Sequence, residues 1–220
     1  ALPVVSYRPR YLCMASDHPM HLGYEPGELI KQADVILTIE SDVPWIPSLH
    51  APNPDAKVIQ LGIDPLFSKY PMRGFPCDLA ITGSAASVIP ALTEALATRE
   101  TAAASRIDAR RGRIAERHAK LREAWAGRIE ASKNGGPTDA SWVAHCIDQI
   151  KGEDDIMVSE SQIAIPNLTF RKPGTFFATG PSGGLGWGTG ATLGVKLGAP
   201  DRRVFSVVGD GSYMFGNPTP

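Results

Sequence analysis

The sequence predicts an α/β protein with parallel sheets, on the strength of three observations. Two short apolar runs rich in β-branched residues, 33–39 and 56–63, have the composition of buried parallel strands. A third strand at 78–81 runs into Gly83-Ser84, a pair that predicts the cap of a helix through Leu96. Strands and helices that alternate in this way are typical of a Rossmann-like, doubly wound parallel sheet.

A second α/β unit is predicted beyond a helical linker. The linker, residues 98–136, is rich in Ala, Arg and Glu with few large apolar side chains, which predicts a solvated helix. Thr138 is then predicted to cap a helix through Ile150. The elements predicted after it are strands at 155–159, 175–179 and 203–208 and a helix near 186–197. The domains are therefore expected at 1–97 and 137–220, with 98–136 between them.

Composition and charge limit the classes of partner. The 220 residues carry 22 Lys and Arg against 23 Asp and Glu, a net charge of −1, so no global attraction to nucleic acid or to an anionic membrane is expected. Hydrophobic residues make up 43% of the chain, enough for a sizeable core, but no apolar run approaches the roughly 20 residues that span a bilayer. Three widely spaced cysteines without a CxxC motif favour a reducing cytoplasm. The expected partner is a small molecule or another subunit.

Chemistry is expected at two glycine-rich segments. Residues 180–190 read GPSGGLGWGTG, in which glycines let the backbone approach a ligand and the following helix offers free N–H groups. Asp210 lies in Gly-Asp-Gly-Ser directly after a predicted strand, at the end where open α/β sheets bind ligands. Its carboxylate beside the N–H groups of Gly211 and Ser212 suits a Mg²⁺ ion that bridges to a phosphate. A plain turn with an Asx hydrogen bond is the alternative without a ligand.

A dinucleotide site is a second interpretation of the same segments. Gly186, Gly188 and Ala191 satisfy a loose fingerprint, and Asp210 follows about where a ribose-binding acid would lie. Against it, residues 179–182 separate these glycines from the preceding strand, whereas a nucleotide fold places its glycines directly after the strand.

The HxxH spacing of His18 and His21 raises the question of a metal site. No helix is expected across Pro19, and apart from Asp17 no nearby Cys or carboxylate completes a ligand set. A loop at a domain edge is the favoured interpretation.

Together the glycine-rich segments resemble a known family. GGLGWGTGATLGVKLGAPDRRVFSVVGDGS, residues 183–212, is similar to the cofactor-binding core of thiamine diphosphate-dependent enzymes, a group that contains acetolactate synthase, benzoylformate decarboxylase and oxalyl-CoA decarboxylase. Upstream, DHPMHLG at 17–23 and ADVILTIESD at 33–42 resemble the central domain of acetolactate synthase-like members. The resemblance implies a central Rossmann-like domain, a linker and the front part of a pyrophosphate-binding α/β domain.

The resemblance implies roles for individual residues. Asp210 is implied to ligate Mg²⁺, and Leu185 matches the bulky apolar residue that holds the cofactor in its bent shape. Gly183 matches the position whose carbonyl accepts the pyrimidine amine. The other implied cofactor-binding positions are Ser161, Gln162, Gly184, Gly209, Gly211 and Ser212. Of these, Gly211 and Ser212 hold the diphosphate, and Ser161 and Gln162 approach it from the other side.

An activity and an assembly are implied as well. Members of the family act on 2-oxo acids or similar carbonyl compounds as decarboxylases or carboligases, and the sequence does not choose between the two. The activating glutamate comes from an N-terminal domain of a neighbouring subunit, so a homodimer or homotetramer is expected and no catalytic residue is assigned in this chain. A nucleotide-binding oxidoreductase that uses the 183–190 loop, and a non-catalytic module of the same fold, remain alternatives.

The departures from the family pattern also carry expectations. The chain lacks an initiator Met and stops ten residues after Asp210, so it is expected to be a fragment that is inactive alone and binds cofactor weakly or not at all. The second Mg²⁺ ligand, usually Asn, comes some 25 or more residues after the acid in the family, so Asn217 is not assigned that role. FAD is not expected, because residues 23–26 pass quickly into a helix instead of a longer glycine-containing segment.

Overall fold

The chain divides into two compact units. The computed structural model describes residues 1–100, 103–133, 137–161, 163–180 and 182–217, so that Gln162, one of the implied cofactor contacts, lies outside the described residues. One unit is Glu25–Arg110, named here the 25–110 unit. The other, named the C-terminal unit, combines Ala1–Tyr24 with the described residues from Arg111 onward.

The 25–110 unit contains a parallel three-stranded sheet whose strands follow chain order. Its elements are α1 (Gly27–Lys31), β1 (Val35–Ile39), β2 (Lys57–Gly62), β3 (Leu79–Thr82) and α2 (Ala85–Glu100). Strands β1 and β3 both pair with β2. The core consists of apolar side chains from α1, the first two strands and the loops beside them: Ile30, Ile36, Trp45, Ala56 and Val58.

The C-terminal unit contains a second parallel sheet in which the strand order reverses. Its elements are most of α3 (Ala104–Ser132), then α4 (Ala140–Ile150), β4 (Ile156–Ser159), a 3-10 turn (Ile165–Asn167), β5 (Phe176–Ala178), α5 (Trp187–Gly198), β6 (Val204–Val207) and α6 (Asp210–Phe215). Strand β4 lies in the middle, paired with β5 on one side and β6 on the other. All four residues of β4 are buried, as expected of a central strand covered on both faces.

The predicted α/β class with parallel sheets is confirmed, and most of the predicted elements lie within a residue or two of the observed ones. One predicted cap is wrong. Asp139, not Thr138, caps α4, because its carboxylate accepts a hydrogen bond from the Ser141 N–H at 2.7 Å. An aspartate carboxylate is a strong N-cap acceptor, and here it lies one residue closer to the helix.

The linker segment is largely helical, as predicted, and most of α3 is exposed. Three of its residues, Ile114, His118 and Trp125, are nevertheless buried and share one face of the helix. Residues 1–24, predicted as the start of the central domain, lie in the C-terminal unit, where the Ser16 N–H donates to the Phe170 carbonyl at 2.8 Å. The predicted domain boundaries at 97/98 and 136/137 stay a prediction.

Candidate functional site

The candidate site lies at the carboxyl ends of β4 and β6. These strands are neighbours although β5 comes between them in sequence, so the order in which strands are added to the sheet reverses between β4 and β6. The Glu160 N–H, directly after β4, donates to the Val207 carbonyl of β6 at 2.9 Å, which keeps the two strand ends together. Open α/β sheets bind ligands at such switch points, because the two connections leave the sheet on opposite sides and open a crevice.

A carboxylate that the sequence analysis did not single out occupies this edge. Glu160 accepts hydrogen bonds from the Gly186 N–H at 2.7 Å and the Gly188 N–H at 2.6 Å, and a further one from the Ser212 hydroxyl. Burial raises the pKa of this carboxyl, but the hydrogen bonds from the two amides and the hydroxyl outweigh burial, so the pKa lies below its ordinary value of 4.5. Glu160 is therefore held as a carboxylate at neutral pH.

Two glycines make this contact sterically feasible. Gly186 has a φ of +90°, and a Cβ placed there would lie 2.8 Å from the Gly216 nitrogen. At Gly188 a Cβ would lie 2.8 Å from Glu160 Oε2 and 2.9 Å from Val208 Cγ2. Since real Cβ contacts are longer than this, a side chain at either position would push α5 away from its neighbours.

Four of the implied cofactor residues surround the start of α6. A Cβ placed on Gly209 would lie 3.2 Å from Ser161 Oγ and 3.9 Å from Ser212 Oγ, so both hydroxyls lie beside this glycine. Asp210 begins α6 and is exposed, and its Oδ1 accepts the Gly211 N–H at 2.8 Å. The sequence does not predict the helix that begins at Asp210, but it does place this carboxylate at the strand end.

The loop before α5 presents the remaining implied residues to open space. Gly183 has a φ of +60°, and a Cβ at Gly183 or Gly184 would meet no described atom within 4 Å. Leu185 is 61% exposed. The loop closes where the Trp187 N–H donates to the Gly184 carbonyl at 3.3 Å. These observations are compatible with the implied roles of the loop, which stay predictions.

The dinucleotide interpretation meets an obstacle in this geometry. It requires the pyrophosphate to accept hydrogen bonds from the N–H groups that open α5. Glu160 already accepts from the amides of Gly186 and Gly188, so an anionic ligand would have to displace a carboxylate. The geometry disfavours a dinucleotide at this helix.

His18 and His21 lie in different environments. His18 is exposed and accepts the Met20 N–H, whereas His21 is buried with its Nε2 3.1 Å from the Ser6 hydroxyl oxygen. Within the described ranges, no group of three or more His, Cys, Asp or Glu side chains could hold a metal ion. The loop prediction fits His18, but His21 is part of the core of the C-terminal unit.

The donors at the strand ends nevertheless fit a hard cation that brings its own ligands. Asp210 offers an exposed carboxylate, and the hydroxyls of Ser161 and Ser212 lie beside Gly209, the residue that precedes Asp210. Mg²⁺ is commonly held by one or two carboxylates and completes its shell with phosphate oxygens and water. A site with a single protein carboxylate is therefore chemically suited to Mg²⁺ bound together with a diphosphate.

Comparison with known proteins identifies the segment around this edge. Residues 158–218 match the family model described as thiamine pyrophosphate enzyme, C-terminal TPP binding domain, thiamine pyrophosphate being another name for thiamine diphosphate. The match includes Ser161, the glycine loop and Asp210. Among the described residues, no helix is long and apolar enough to cross a membrane.

Curated relatives extend the likeness along the chain. Benzoylformate decarboxylase of Pseudomonas aeruginosa is 35% identical over 89 residues, which cover 39% of this chain and 17% of that protein. Acetolactate synthase of Mycobacterium avium is 25% identical over an alignment of 232 residues, which covers 98% of this chain and 36% of that protein. The chain therefore spans about a third or less of the length of these relatives.

Solved structures share the fold over nearly the whole chain. A protein from Mycobacterium smegmatis described as a putative thiamin diphosphate-dependent enzyme superposes with a TM-score of 0.62 at 21% identity, covering 98% of this chain and 41% of that one. The thiamine diphosphate-dependent 4-hydroxybenzoylformate decarboxylase of Rhodococcus jostii RHA1 superposes with a TM-score of 0.58 at 19% identity, covering 97% of this chain and 39% of that one. With the family match at residues 158–218 and the relatives that align along the chain, the resemblance to thiamine diphosphate-dependent enzymes seen in the sequence is confirmed.

Proposed function

We propose that this chain provides the Mg²⁺- and diphosphate-binding part of a thiamine diphosphate-dependent enzyme that acts on a 2-oxo acid. The observation that carries the proposal is the gathering of Asp210 and the hydroxyls of Ser161 and Ser212 around Gly209, at the switch point of the sheet. The substrate class is supported by relatives named benzoylformate decarboxylase and 2-ketoarginine decarboxylase. Whether the reaction ends in protonation or in carboligation is left open by this set of relatives, which includes acetolactate synthases.

Each described residue of the site has a distinct part in the proposal. Asp210 would ligate Mg²⁺, while the backbone amides of Gly211 and Ser212 would hold diphosphate oxygens and Ser161 would approach from β4. Leu185 would supply an apolar surface under the cofactor, and the Gly183 carbonyl would accept its pyrimidine amine. When bound, the cofactor supplies the electron sink for cleavage beside a carbonyl group, and the chain supplies anchoring, orientation and exclusion of water.

An assembly of two or four copies in the cytoplasm belongs to the same proposal. The resemblance implies an activating glutamate from a neighbouring subunit, and the chain spans only about a third or less of its curated relatives. Its cofactor contacts are accordingly proposed to be one part of a complete site. Cys77 and Cys146 are free thiols, which suits a reducing compartment.

A titration followed by NMR tests the cofactor assignment. With Mg²⁺ and thiamine diphosphate at millimolar concentrations, we expect weak, saturable shifts of the amides in 183–188 and 209–212. The shifts should require Mg²⁺, and Asp210→Asn, which keeps the side-chain shape and removes the charge, should weaken binding about tenfold or more by the loss of a charge-assisted contact. The role of Asp210 would be contradicted if thiamine diphosphate bound equally well with and without Mg²⁺, or equally well to the wild type and to Asp210→Asn. Submicromolar binding would contradict the view that other parts of the site lie elsewhere.

A further inference from the structure

Glu160 has no part in the cofactor contacts proposed above, yet it joins three elements of the site. It follows the last residue of β4, its two carboxylate oxygens accept the amides of Gly186 and Gly188 at the start of α5, and the Ser212 hydroxyl of α6 donates to the same carboxylate. The two amide contacts, at 2.7 and 2.6 Å, have the short lengths of charge-assisted hydrogen bonds. One side chain thus connects β4, the glycine loop and the Asp210 segment.

This arrangement differs from ordinary capping of a helix. A usual N-cap acceptor is the side chain of the residue just before the helix, but α5 has Gly186 at that position. The acceptor comes instead from Glu160, 26 residues earlier in the chain. Because the cap is long-range and also reaches Ser212, it constrains the position of one segment relative to another and not the helix start alone.

The packing around the carboxylate restricts where α5 can begin. Gly188 is buried, and a Cβ there would lie 3.0 Å from the Cβ of Glu160 as well as 2.8 Å from its Oε2. Gly186 is restricted on its other side by the backbone at Phe215 and Gly216, which end α6. The helix start is therefore held between Glu160 and the far end of α6, and the loop that carries Leu185 is attached directly to it.

We infer that Glu160 is a positioning residue that holds the 183–188 loop and Ser212 in the arrangement the cofactor requires. The role of the cofactor in this inference rests on the proposed function. The three hydrogen bonds that Glu160 accepts from Gly186, Gly188 and Ser212, named here the bracing contacts, do not depend on it. Without the carboxylate, two amides of the loop lose their acceptor and the Ser212 hydroxyl is released. The loop and the Asp210 segment would then lose their common support.

Amide exchange of the two glycines tests the bracing contacts without any ligand. Glu160→Gln keeps the size of the side chain but replaces one accepting oxygen with an NH₂ group. We expect hydrogen exchange at Gly186 and Gly188 to become about tenfold faster or more, because a charge-assisted acceptor is lost. Ser212→Ala, which removes only the third contact, should give a smaller increase at the same amides and provides a second test should Glu160→Gln not fold.

Glu40 supplies a matched control in the other unit. Its Oε1 accepts the Ala85 N–H at 2.9 Å at the start of α2, so Glu40→Gln removes a contact of the same kind. That variant should speed exchange near Ala85 and leave Gly186 and Gly188 as in the wild type. Unchanged exchange at both glycines in Glu160→Gln, or an increase spread evenly over the whole chain, would overturn the inference.

Cofactor affinity separates positioning from simple stabilisation. In the NMR titration with Mg²⁺ and thiamine diphosphate, Glu160→Gln should stay folded but bind the cofactor more weakly than the wild type, by up to about tenfold. Glu40→Gln should bind the cofactor as the wild type does. Equal affinity in Glu160→Gln and wild type would reduce Glu160 to a structural cap. Faster exchange in the variant together with no binding by the wild type would uphold the bracing contacts and count against the proposed function instead.

Discussion

At the scale of single residues, His21 is expected to make folding depend on pH. Its side chain is 1% exposed, Nε2 lies 3.1 Å from the Ser6 hydroxyl oxygen, and its backbone carbonyl lies 2.7 Å from His118 Nδ1. Burial, followed by repulsion from His118, Arg122 and His18, lowers the pKa of His21 from 6.5 to about 4. The folded chain therefore holds this ring in its neutral form.

The sign of the pH effect follows from these values. Between pH 6.5 and about 4 the unfolded chain binds a proton at His21 that the folded chain does not. The contribution of His21 is complete above pH 6.5, and as the pH falls through this window the free energy of unfolding decreases by up to about 1.4 kcal/mol per pH unit. Urea unfolding across the window should show a smaller slope in His21→Gln. His145→Gln, on the partly exposed face of α4, is the control, and an unchanged slope in His21→Gln would contradict the prediction.

The same residues mark the limit of what the sequence predicts at this scale. Asp210 is recognised because glycines flank an acid directly after an apolar strand, which is a local pattern. The partners of Glu160 are backbone amides 26 and 28 residues away, and amides have no sequence signature. The one signal for Glu160 in the sequence is that an acidic residue comes directly after a predicted apolar strand. The burial of His21 likewise depends on residues 15 and 97 positions away, Ser6 and His118.

At the scale of elements, each unit has a glutamate directly after its first strand that accepts backbone amides at the start of a helix. Glu40 follows β1, donates its N–H to Leu61 of the next strand at 2.7 Å, and accepts the first amide of α2. Glu160 follows β4, donates its N–H to Val207 of β6 at 2.9 Å, and accepts the amides of Gly186 and Gly188 at the start of α5. A glutamate in this place neutralises the positive end of a helix dipole at the edge where ligands bind. The C-terminal unit differs in that a third contact, from Ser212, is present.

Strands and long helices are the elements that the sequence predicts well. The observed β1, β2, β4 and β6 lie within the apolar, β-branched-rich runs, a composition typical of strands in a parallel sheet. Helix α6 is not predicted, because Gly-Asp-Gly favours a turn by local preference. Its geometry depends on contacts with α5, where Gly186 and Gly216 approach one another, and such contacts cannot be derived from a local pattern.

Two glycines of α5 offer a test of how closely this helix packs against Glu160 and Val208. At Gly188 a Cβ would lie within 3.0 Å of Glu160 and Val208 atoms, whereas at Gly190 it would meet no described atom within 4 Å. Both Gly→Ala substitutions improve helix propensity by up to about 1 kcal/mol. Gly188→Ala should nevertheless lower the free energy of unfolding by about 1–3 kcal/mol through overpacking, while Gly190→Ala should raise it or leave it unchanged. Urea unfolding of the two variants measures the difference, and equal stability would show that α5 can shift away from Glu160 at little cost.

At the scale of the whole molecule, the fold class and the family are accessible from sequence because each rests on a pattern that extends over many residues. Alternating strands and helices predict the parallel sheets, and residues 183–212 carry the family resemblance that the comparison confirms. The grouping of residues 1–24 with the C-terminal unit has no such pattern, since it depends on isolated contacts such as that between Ser16 and Phe170. With a net charge of −1, the chain also offers no general electrostatic attraction that could mimic specific binding of an anionic ligand.

Heat stability in the presence of ligands distinguishes the cofactor assignment from the oxidoreductase alternative. A ligand that binds only the folded chain, present at ten times its Kd, adds about 1.4 kcal/mol to the free energy of unfolding, which raises the midpoint of a chain of this size by about 3–6 °C. Mg²⁺ with thiamine diphosphate should produce such a rise at saturating concentration, and NADH should not, because Glu160 occupies the amides that a dinucleotide would need. Asp210→Asn should reduce the rise with thiamine diphosphate without lowering the midpoint of the ligand-free protein, since its carboxylate is exposed and contacts the adjacent Gly211 amide. A rise with NADH and none with Mg²⁺ and thiamine diphosphate would favour a nucleotide-binding site at the start of α5 and would require Glu160 to move aside.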